Sequence, residues 1–445
     1  MTARSDGRDP VTVPEEAIRA GEADAPARSY AEPSVWTERM LATLEQGVKG
    51  GRWYSLMDKV WADRTLRAAA AQVAANKGAS GVDHVTVEMF EHEREANLAR
   101  LSEVMRTGEY RPQAIRRHYI PKPGGQEKRP LGIPTVRDRV VQTAVRMVLE
   151  PIFERDFAAH SYGFRPGRGC KDALRRVDEL LKSEAVFIVD ADLKSFFDTI
   201  PHDGLLAEVG RKVTDGRIMK LLQQFLRQGV LDGLAAWTPQ EGTPQGAVIS
   251  PLLSNIYLDP LDHLMAAEGF EMVRYADDFV VLCRNEAQAA RALAMIEGWT
   301  AQAGLALHPA KTRLIDARVE SFEFLGYRFE RGRRWPRDKS LRKLKEAIRA
   351  KTPRLAGESL RAIIHDLNPM LRGWFGYFKH SHRRALSDLD SWIRSRLRNA
   401  LRRHCGLRGI ARGDDHHRWP NVFFAEHGLF SLQRAHVLAG QSHHG

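Results

Sequence analysis

The sequence predicts an α+β protein in which strands and helices are followed by a basic, helical region. Residues 186–193 form a short β-branched apolar run bounded by charge, which is typical of a buried strand. Residues 272–283 contain two similar runs around a turn, which predicts a hairpin. Residues 137–153 and the segment after Pro336 instead repeat apolar residues at helical spacing. Both kinds of element are therefore expected in one chain.

Length and composition fit a multidomain globular protein. The chain has 445 residues, of which 43% are apolar, enough for several cores at roughly 100 to 200 residues each. No apolar run approaches the ~20 residues that cross a bilayer, so we expect no membrane partner. The first thirty residues contain no apolar stretch and match neither a secretory signal nor a transit peptide. We expect a disordered leader there.

The cysteines indicate a reducing compartment. Cys170, Cys283 and Cys405 lie far apart, and none belongs to a Cys-x-x-Cys pair. This argues against a disulfide framework and against a cysteine zinc site. We therefore expect a cytoplasmic protein.

The segments before the first strand are predicted to be helices and glycine-containing loops. Residues 36–75 have helical patterning, and the glycines of residues 76–82 favour a loop. A second glycine-rich loop at residues 121–125 precedes the helix at 137–153. The apolar face of that helix is formed by Val140, Val141, Ala144, Val145, Val148 and Leu149.

Positive charge is concentrated in one region. The net charge is +12, but residues 331–412 alone carry 23 Lys plus Arg against 6 Asp plus Glu, a local charge of +17. Most of these residues are arginine, whose planar guanidinium suits phosphates and stacks on bases. A solvated surface is the plain alternative for any charge run. The arginine excess favours RNA or DNA binding.

Acidic side chains end the first predicted strand. Side chains alternate between the faces of a strand, so Asp190 and Asp192 face the same way. One such carboxylate alone is more typical of a strand-end cap or a salt bridge. The decisive pattern therefore has to come from elsewhere in the chain.

The predicted hairpin supplies two more carboxylates. Asp277 and Asp278 are adjacent acids between apolar strands, and Ala276 and Asp277 suit a two-residue turn. Such acids repel each other unless a cation lies between them. Carboxylate oxygens are hard ligands that select Mg²⁺ or Mn²⁺, and three carboxylates suit two metals about 3.5 to 4 Å apart.

These motifs resemble those of reverse transcriptases. The sequence Tyr275-Ala276-Asp277-Asp278 resembles their signature hairpin, and residues 192–198 (Asp-Leu-Lys-Ser-Phe-Phe-Asp) resemble their other metal-binding motif. Residues 242–246 (Gly-Thr-Pro-Gln-Gly) and 250–255 (Ser-Pro-Leu-Leu-Ser-Asn) are similar to a loop and helix of group II intron reverse transcriptases, although Ala247 stands where many members have glycine. Further resemblances, in order, lie at residues 76–78, 129–134, 161–166 and 324–326.

The basic region resembles the maturase part of the same family. Residues 371–374 (Leu-Arg-Gly-Trp) resemble maturase domain X, and residues 419–432 resemble the family's DNA-binding tail. The alternative is ordinary helix packing with Trp374 in the core. The chain is thus similar to a bacterial group II intron-encoded reverse transcriptase/maturase, and we expect no HNH endonuclease domain in it.

The resemblance implies a right-hand polymerase fold with fingers, an antiparallel-sheet palm backed by helices, and a helical thumb/maturase domain. The implied order begins with a disordered leader (1–35) and an N-terminal helical extension (36–75). Fingers (76–185), palm (186–335), thumb or domain X (336–410) and a C-terminal DNA-binding-like tail (411–445) follow.

The resemblance also implies roles for individual residues. Asp192, Asp277 and Asp278 would be catalytic and hold two Mg²⁺ ions, with Mn²⁺ as a substitute. Lys122 and Arg129 would meet the nucleoside triphosphate, or alternatively the RNA backbone.

Two further side chains are implied to contact the nucleotide. Phe197 would lie beneath the incoming sugar, unless both it and Phe196 are core residues. We expect the segment to be extended, so that the two rings face opposite sides. Gln245 would line the nascent base pair, unless its amide is structural. The expected RNA-binding residues are Arg342, Lys343, Lys345 and Arg372.

The implied function is that of an RNA-directed DNA polymerase of a group II intron, which also assists splicing and intron mobility. Its partners would be intron RNA as template, a DNA primer or target, and dNTPs; a homodimer is left open. One alternative is a related reverse transcriptase serving phage defence or a CRISPR array. Another is an RNA-binding splicing factor with a vestigial polymerase site, although three intact acids argue against it.

Overall fold

The computed structural model describes residues 31–121, 128–352, 359–407 and 409–441. The chain divides into two compact units, the first comprising Met1–Ile120 and Lys128–Leu314, and the second Pro121–Glu127 and Ile315–Gly445. Residues 1–30 of the expected leader and most of the predicted loop at 121–125 lie outside the described residues. Ala31 and Val35, in contrast, are buried.

The first unit contains twelve α-helices among its described residues. Helical patterning at 36–75 and 137–153 is confirmed. The long helix over the latter segment begins at an N-cap, where the Thr135 hydroxyl accepts from the Asp138 amide, and it is buried over most of its length. The helices are α1 (Glu38–Gln46), α2 (Met57–Val60), α3 (Asp63–Asn76), α4 (Val87–His92), α5 (Arg94–Thr107), α6 (Val136–Glu154), α7 (Cys170–Lys182), α8 (Phe196–Thr199), α9 (His202–Gly210), α10 (Gly216–Leu226), α11 (Ser250–Ala267) and α12 (Glu286–Gln302).

Eight strands, counted over the described residues of this part of the chain, form two sheets. Sheet A has the order β6-β7-β3-β8 and sheet B the order β2-β1-β4-β5. The chain passes into the second unit within β8. The strands are β1 (Ile115–Pro121), β2 (Lys128–Ile133), β3 (Phe187–Asp192), β4 (Val230–Asp232), β5 (Ala235–Trp237), β6 (Glu271–Tyr275), β7 (Asp278–Cys283) and β8 (Arg313–Asp316).

Sheet A is the predicted antiparallel sheet. Both β3 and β6 pair antiparallel with the central strand β7, whose residues 279–283 are all buried. Helices α7 and α11 pack against β6, and α12 packs against β3 and β7. The predicted strand at 186–193 and hairpin at 272–283 are therefore confirmed.

Sheet B joins segments that are far apart in sequence. Strand β1 runs parallel to β4, with Ile115 opposite Val230 and Arg116 opposite Leu231. Strand β5 then pairs antiparallel with β4, placing Trp237 opposite Val230. Nothing in the sequence analysis predicted this arrangement.

The second unit contains a small antiparallel sheet and six helices among its described residues. The sheet has the order β11-β10-β9, and helices begin directly after Pro336 as predicted. The strands are β9 (Phe322–Phe324), β10 (Tyr327–Glu330) and β11 (Arg333–Pro336), and the helices are α13 (Asp338–Lys351), α14 (Leu360–Phe378), α15 (Arg383–His404), α16 (Gly413–Arg418), α17 (Asn421–Glu426) and α18 (Leu432–Gln441).

The last three helices complete the core of the second unit. Trp419, Phe424 and Leu432 are buried in one cluster with apolar residues of α13, α14 and α15. Asp390 on α15 accepts from the Ser431 hydroxyl and from the amides of Leu432 and Gln433, at 2.7 to 3.1 Å. This carboxylate thus binds the first turn of α18. In the part of the chain that the structure describes, no helix is both long and apolar enough to span a membrane.

Candidate active site

A tight hairpin turn presents the adjacent acids. Tyr275, the last residue of β6, pairs directly with Asp278, the first of β7, so Ala276 and Asp277 form the predicted two-residue turn. Ala276 has a φ of 59°, a left-handed conformation that non-glycine residues rarely adopt but that such a turn requires. The turn sets Asp277 and Asp278 at one end of sheet A.

The third acid ends the neighbouring strand at the same edge. Asp192 is the last residue of β3 and lies directly opposite Asp278, a pairing in which Cα atoms are about 4.5 to 5.5 Å apart. Burial raises the pKa of Asp277, and the negative charge of Asp192 raises it further, whereas the positive charges of Arg129 and Arg274 lower it. The three predicted carboxylates therefore lie together and repel one another.

Two cations from the segment around β8 approach these strands. The Lys311 ammonium lies 2.9 Å from a carboxylate oxygen of Asp192, and the Arg313 guanidinium lies 3.3 Å from Asp190. Sequence analysis missed both cations, because nothing in the chain pattern shows that β8 lies beside β3. Asp190 thus has a different partner from Asp192.

The donor set suits a divalent cation in its chemistry. All three groups are carboxylates, the hard oxygen ligands that divalent cations prefer, and a bound cation would neutralise the negative charge that they share. Among the described residues, however, no group of three or more His, Cys, Asp or Glu side chains is arranged so that it could hold a metal ion. The three acids lie at one edge of sheet A, but by themselves they do not form a complete coordination shell for a metal ion.

A buried arginine supports the hairpin from behind. Arg274 on β6 is 0% exposed. Its Nε donates to the Asp262 oxygens at 2.8 and 2.9 Å, and its Nη1 donates to Asn255 Oδ1 and to the Ala276 carbonyl, both at 3.0 Å. Asn255 in turn donates to the Gly163 carbonyl at 2.8 Å. A side chain at Gly163 would come within 2.1 Å of the Ala276 nitrogen, so this position requires glycine.

The glycine-containing loop at 242–246 lies between α8 and β2. The Thr243 amide donates to the Phe197 carbonyl, and the Gly132 amide donates to the Gln245 carbonyl, each at 2.6 Å. The Gln245 side chain donates to both oxygens of Asp198 at 3.1 and 3.2 Å and accepts from Arg129 Nε at 3.0 Å. Arg129, Gln245 and Asp198 form one hydrogen-bonded chain.

Two family models match the chain in sequence order. Residues 120–329 match "Reverse transcriptase (RNA-dependent DNA polymerase)", and residues 341–418 match "Group II intron, maturase-specific domain". The chain is 37% identical over 268 residues to Protein YkfC of Escherichia coli K12, covering 59% of this chain and 70% of YkfC. This chain belongs to the group II intron-encoded reverse transcriptase/maturase family.

Other members of the family are matched over shorter stretches. The group II intron-encoded protein LtrA of Lactococcus lactis is 40% identical over 190 residues, covering 42% of this chain and 31% of LtrA. The mitochondrial nuclear intron maturase 4 of Arabidopsis thaliana is 35% identical over 138 residues, covering 31% of this chain and 17% of that protein. The chain thus spans less than a third of each of these two relatives. Reverse transcriptases as a family use divalent metal ions.

The aromatic pair of the family motif is arranged differently from the expectation. Phe196 and Phe197 are not extended but open the short helix α8, so the reason given for their opposite orientation is wrong. Phe196 is 2% exposed, whereas Phe197 is only partly buried, with the two ring centroids 5.4 Å apart in an edge-on contact. Two adjacent apolar residues so close to the end of a strand show no repeat, so the sequence does not tell a helical turn from an extended segment there. The nucleotide-facing role of Phe197 stays a prediction.

The remaining predicted residues are Lys122 and four cations on helices of the second unit. Lys122 lies outside the described residues. Arg342 and Lys343 on α13 are exposed, whereas Lys345 is partly buried with its ammonium 5.5 Å from the Trp392 ring centroid.

The side chains around the domain X motif lie on α14. Arg372 is exposed and lies over the Phe430 ring at 5.6 Å. Trp374 packs against the helical core and stacks on Phe378 at 4.6 Å. Trp374 therefore packs in the helical core and also belongs to a segment that resembles the maturase domain.

Proposed function

We propose that this chain copies group II intron RNA into DNA from a DNA primer, using dNTPs and two Mg²⁺ ions bound at Asp192, Asp277 and Asp278. The observation that supports this is the register of sheet A, in which Asp192 lies opposite Asp278 and next to a two-residue turn that carries Asp277. Two-metal phosphoryl transfer uses carboxylates from one site, and this register brings the three acids to one edge of the sheet.

The ions, with Mn²⁺ as a substitute, would lower the pKa of the primer 3′ hydroxyl and neutralise charge on the departing pyrophosphate. Arg129 contributes positive charge beside Asp277, which suits an incoming triphosphate. The Gln245 amide, held between Arg129 and Asp198, is oriented before a base pair forms next to it. Lys122 and Phe197 are assigned to the triphosphate and the sugar by the family motifs.

The test is primer extension by single aspartate variants. Asp277→Ala should abolish extension while RNA affinity, measured by fluorescence anisotropy, stays near wild type, because affinity depends mainly on phosphate contacts. Asp190→Ala is the matched control, since Asp190 lies on the same strand as Asp192 but pairs with Arg313. Extension by Asp277→Ala above a few percent of wild type would contradict the metal assignment. Loss in Asp190→Ala with retention in Asp192→Ala would shift the site by two residues.

The second unit is proposed to bind intron RNA and assist splicing, from a cytoplasmic location. Support comes from the maturase-domain match over residues 341–418 and from exposed cations on its helices, among them Arg342, Lys343 and Arg372. All three cysteines are unpaired, as suits a reducing compartment. Splicing of the intron by purified protein at low magnesium is the direct measurement, and no stimulation over RNA alone would contradict the maturase role.

A further inference from the structure

One face of sheet B carries an ordered stack of two aromatic rings and an arginine. The Arg117 guanidinium lies 4.9 Å from the Trp237 ring centroid and 5.8 Å from that of Tyr119. The register explains the arrangement. Ile115 pairs with Val230 and Val230 with Trp237, so alternate residues of β1 share a face with Trp237 across β4.

A hydrogen bond orients one of the two rings of the stack. The Tyr119 hydroxyl donates to Asp232 Oδ2 at 2.6 Å, which anchors the second ring to the middle of the sheet. Even so, Tyr119 and Trp237 remain 40% and 39% exposed. Large aromatic side chains held rigid and exposed on a sheet offer contact area at little cost in conformational entropy.

Charge on the same four strands points to an anionic ligand. They carry four cations, Arg116, Arg117, Lys128 and Arg129, against a single acid, Asp232, which already binds Tyr119. Rings combined with arginine and excess positive charge suit unpaired nucleobases on a phosphate backbone, because a base offers its π-face only when it is not stacked in a duplex.

The position of the stack within sheet B indicates which nucleic acid strand it would bind. Sheet B is continuous from β5 to β2, and β2 supplies Arg129, which is hydrogen-bonded to Gln245 in the loop beside Asp198. We propose that Trp237, Arg117 and Tyr119 form a stacking subsite for unpaired bases of the RNA template, ahead of the segment being copied. The inference rests on the proposed polymerase function.

The experiment measures binding to primer–template duplexes by fluorescence anisotropy. Three probes share one DNA primer and differ in the RNA template: a 5′ overhang of uridines, an abasic overhang of equal length, and a blunt end. Trp237→Ala should weaken binding of the uridine overhang roughly 5- to 150-fold, the range for one base on one ring. Its affinity for the abasic and blunt probes should be unchanged. Trp237→Phe should restore most of the difference.

Leu234→Ala is the matched control, because Leu234 lies at the tip of the same hairpin, is fully exposed and has no ring. It should behave as wild type. Tyr119→Ala provides a second test should Trp237→Ala lower the melting temperature. Equal loss on the abasic or blunt probe, or no preference of wild type for the uridine overhang, overturns the subsite.

Primer extension on the same probes separates the two proposals. A wild-type protein that does not extend the primer contradicts the proposed function. Extension by wild type together with unaltered binding by both ring variants contradicts the subsite alone.

Discussion

Removing Asp262 should destabilise the first unit strongly. Arg274 is fully buried, and Asp262 is the acidic partner of its guanidinium. Deleting one member of a buried ion pair leaves an uncompensated charge and costs about 3 to 5 kcal/mol. At about 2 to 4 °C per kcal/mol for a unit of this size, Asp262→Ala should lower the melting temperature by roughly 6 to 20 °C. Thermal denaturation followed by circular dichroism measures this directly.

A double variant distinguishes stability from positioning. Replacing a buried pair by apolar residues of similar volume is often neutral or stabilising, so Arg274→Met with Asp262→Leu should melt near wild type. The same protein loses the hydrogen bond from Arg274 to the Ala276 carbonyl, which holds the turn beside Asp277. It should therefore fold yet extend primers at least tenfold more slowly, a change in kcat rather than in KM for dNTP.

Two outcomes would refute this reasoning. A loss below about 1 kcal/mol in Asp262→Ala would mean that solvent reaches Arg274 or that the other acceptors suffice. Wild-type extension by the double variant would mean that the turn holds its geometry without Arg274.

Two further predictions concern the nucleotide and the RNA. Phe197→Val should raise the use of rGTP relative to dGTP at least tenfold in single-nucleotide incorporation, because the ring would clash with a 2′ hydroxyl. If Phe197→Val still discriminates against rGTP as wild type does and Phe196→Val does not, Phe196 is the residue that excludes ribonucleotides. Replacing Arg342, Lys343 and Lys345 together should weaken RNA binding and reduce the salt dependence, by roughly 0.7 to 0.9 in slope per lost phosphate contact. A slope equal to wild type would assign these three residues to the solvated surface.

Sequence patterns predicted the acid-bearing strands well for a physical reason. Strand β7 is buried on both faces, so residues 279–283 had to be continuously apolar, and a two-residue turn had to separate them from β6. Because the two flanking strands are buried and mostly apolar, the two acids between them stand out in the sequence. Sequence analysis did not single out Arg274, although a lone arginine between Val273 and Tyr275 in a buried strand indicates a buried acidic partner.

Pairings between distant segments were not predictable in the same way. Strands β4 and β5 have three residues each, too few for a period to emerge, and β1 pairs with β4 across 115 residues of sequence. The contact between Lys311 and Asp192 likewise depends on the placement of β8 in the sheet. Local chemistry identifies an acidic cluster, but only the sheet order shows which cations approach it.

The interaction of Asp390 with the start of α18 has a consequence for how the protein is made. The carboxylate and the Leu432 amide that it binds are 42 residues apart. At about 5 to 20 residues per second, synthesis takes roughly 2 to 8 s to cover that interval. During that time α15 lacks Leu432, and for most of it also Trp419 and Phe424, as packing partners. The arginine-rich helices are therefore synthesised before the residues that complete their core. RNA that binds these helices during that interval binds an incompletely folded unit.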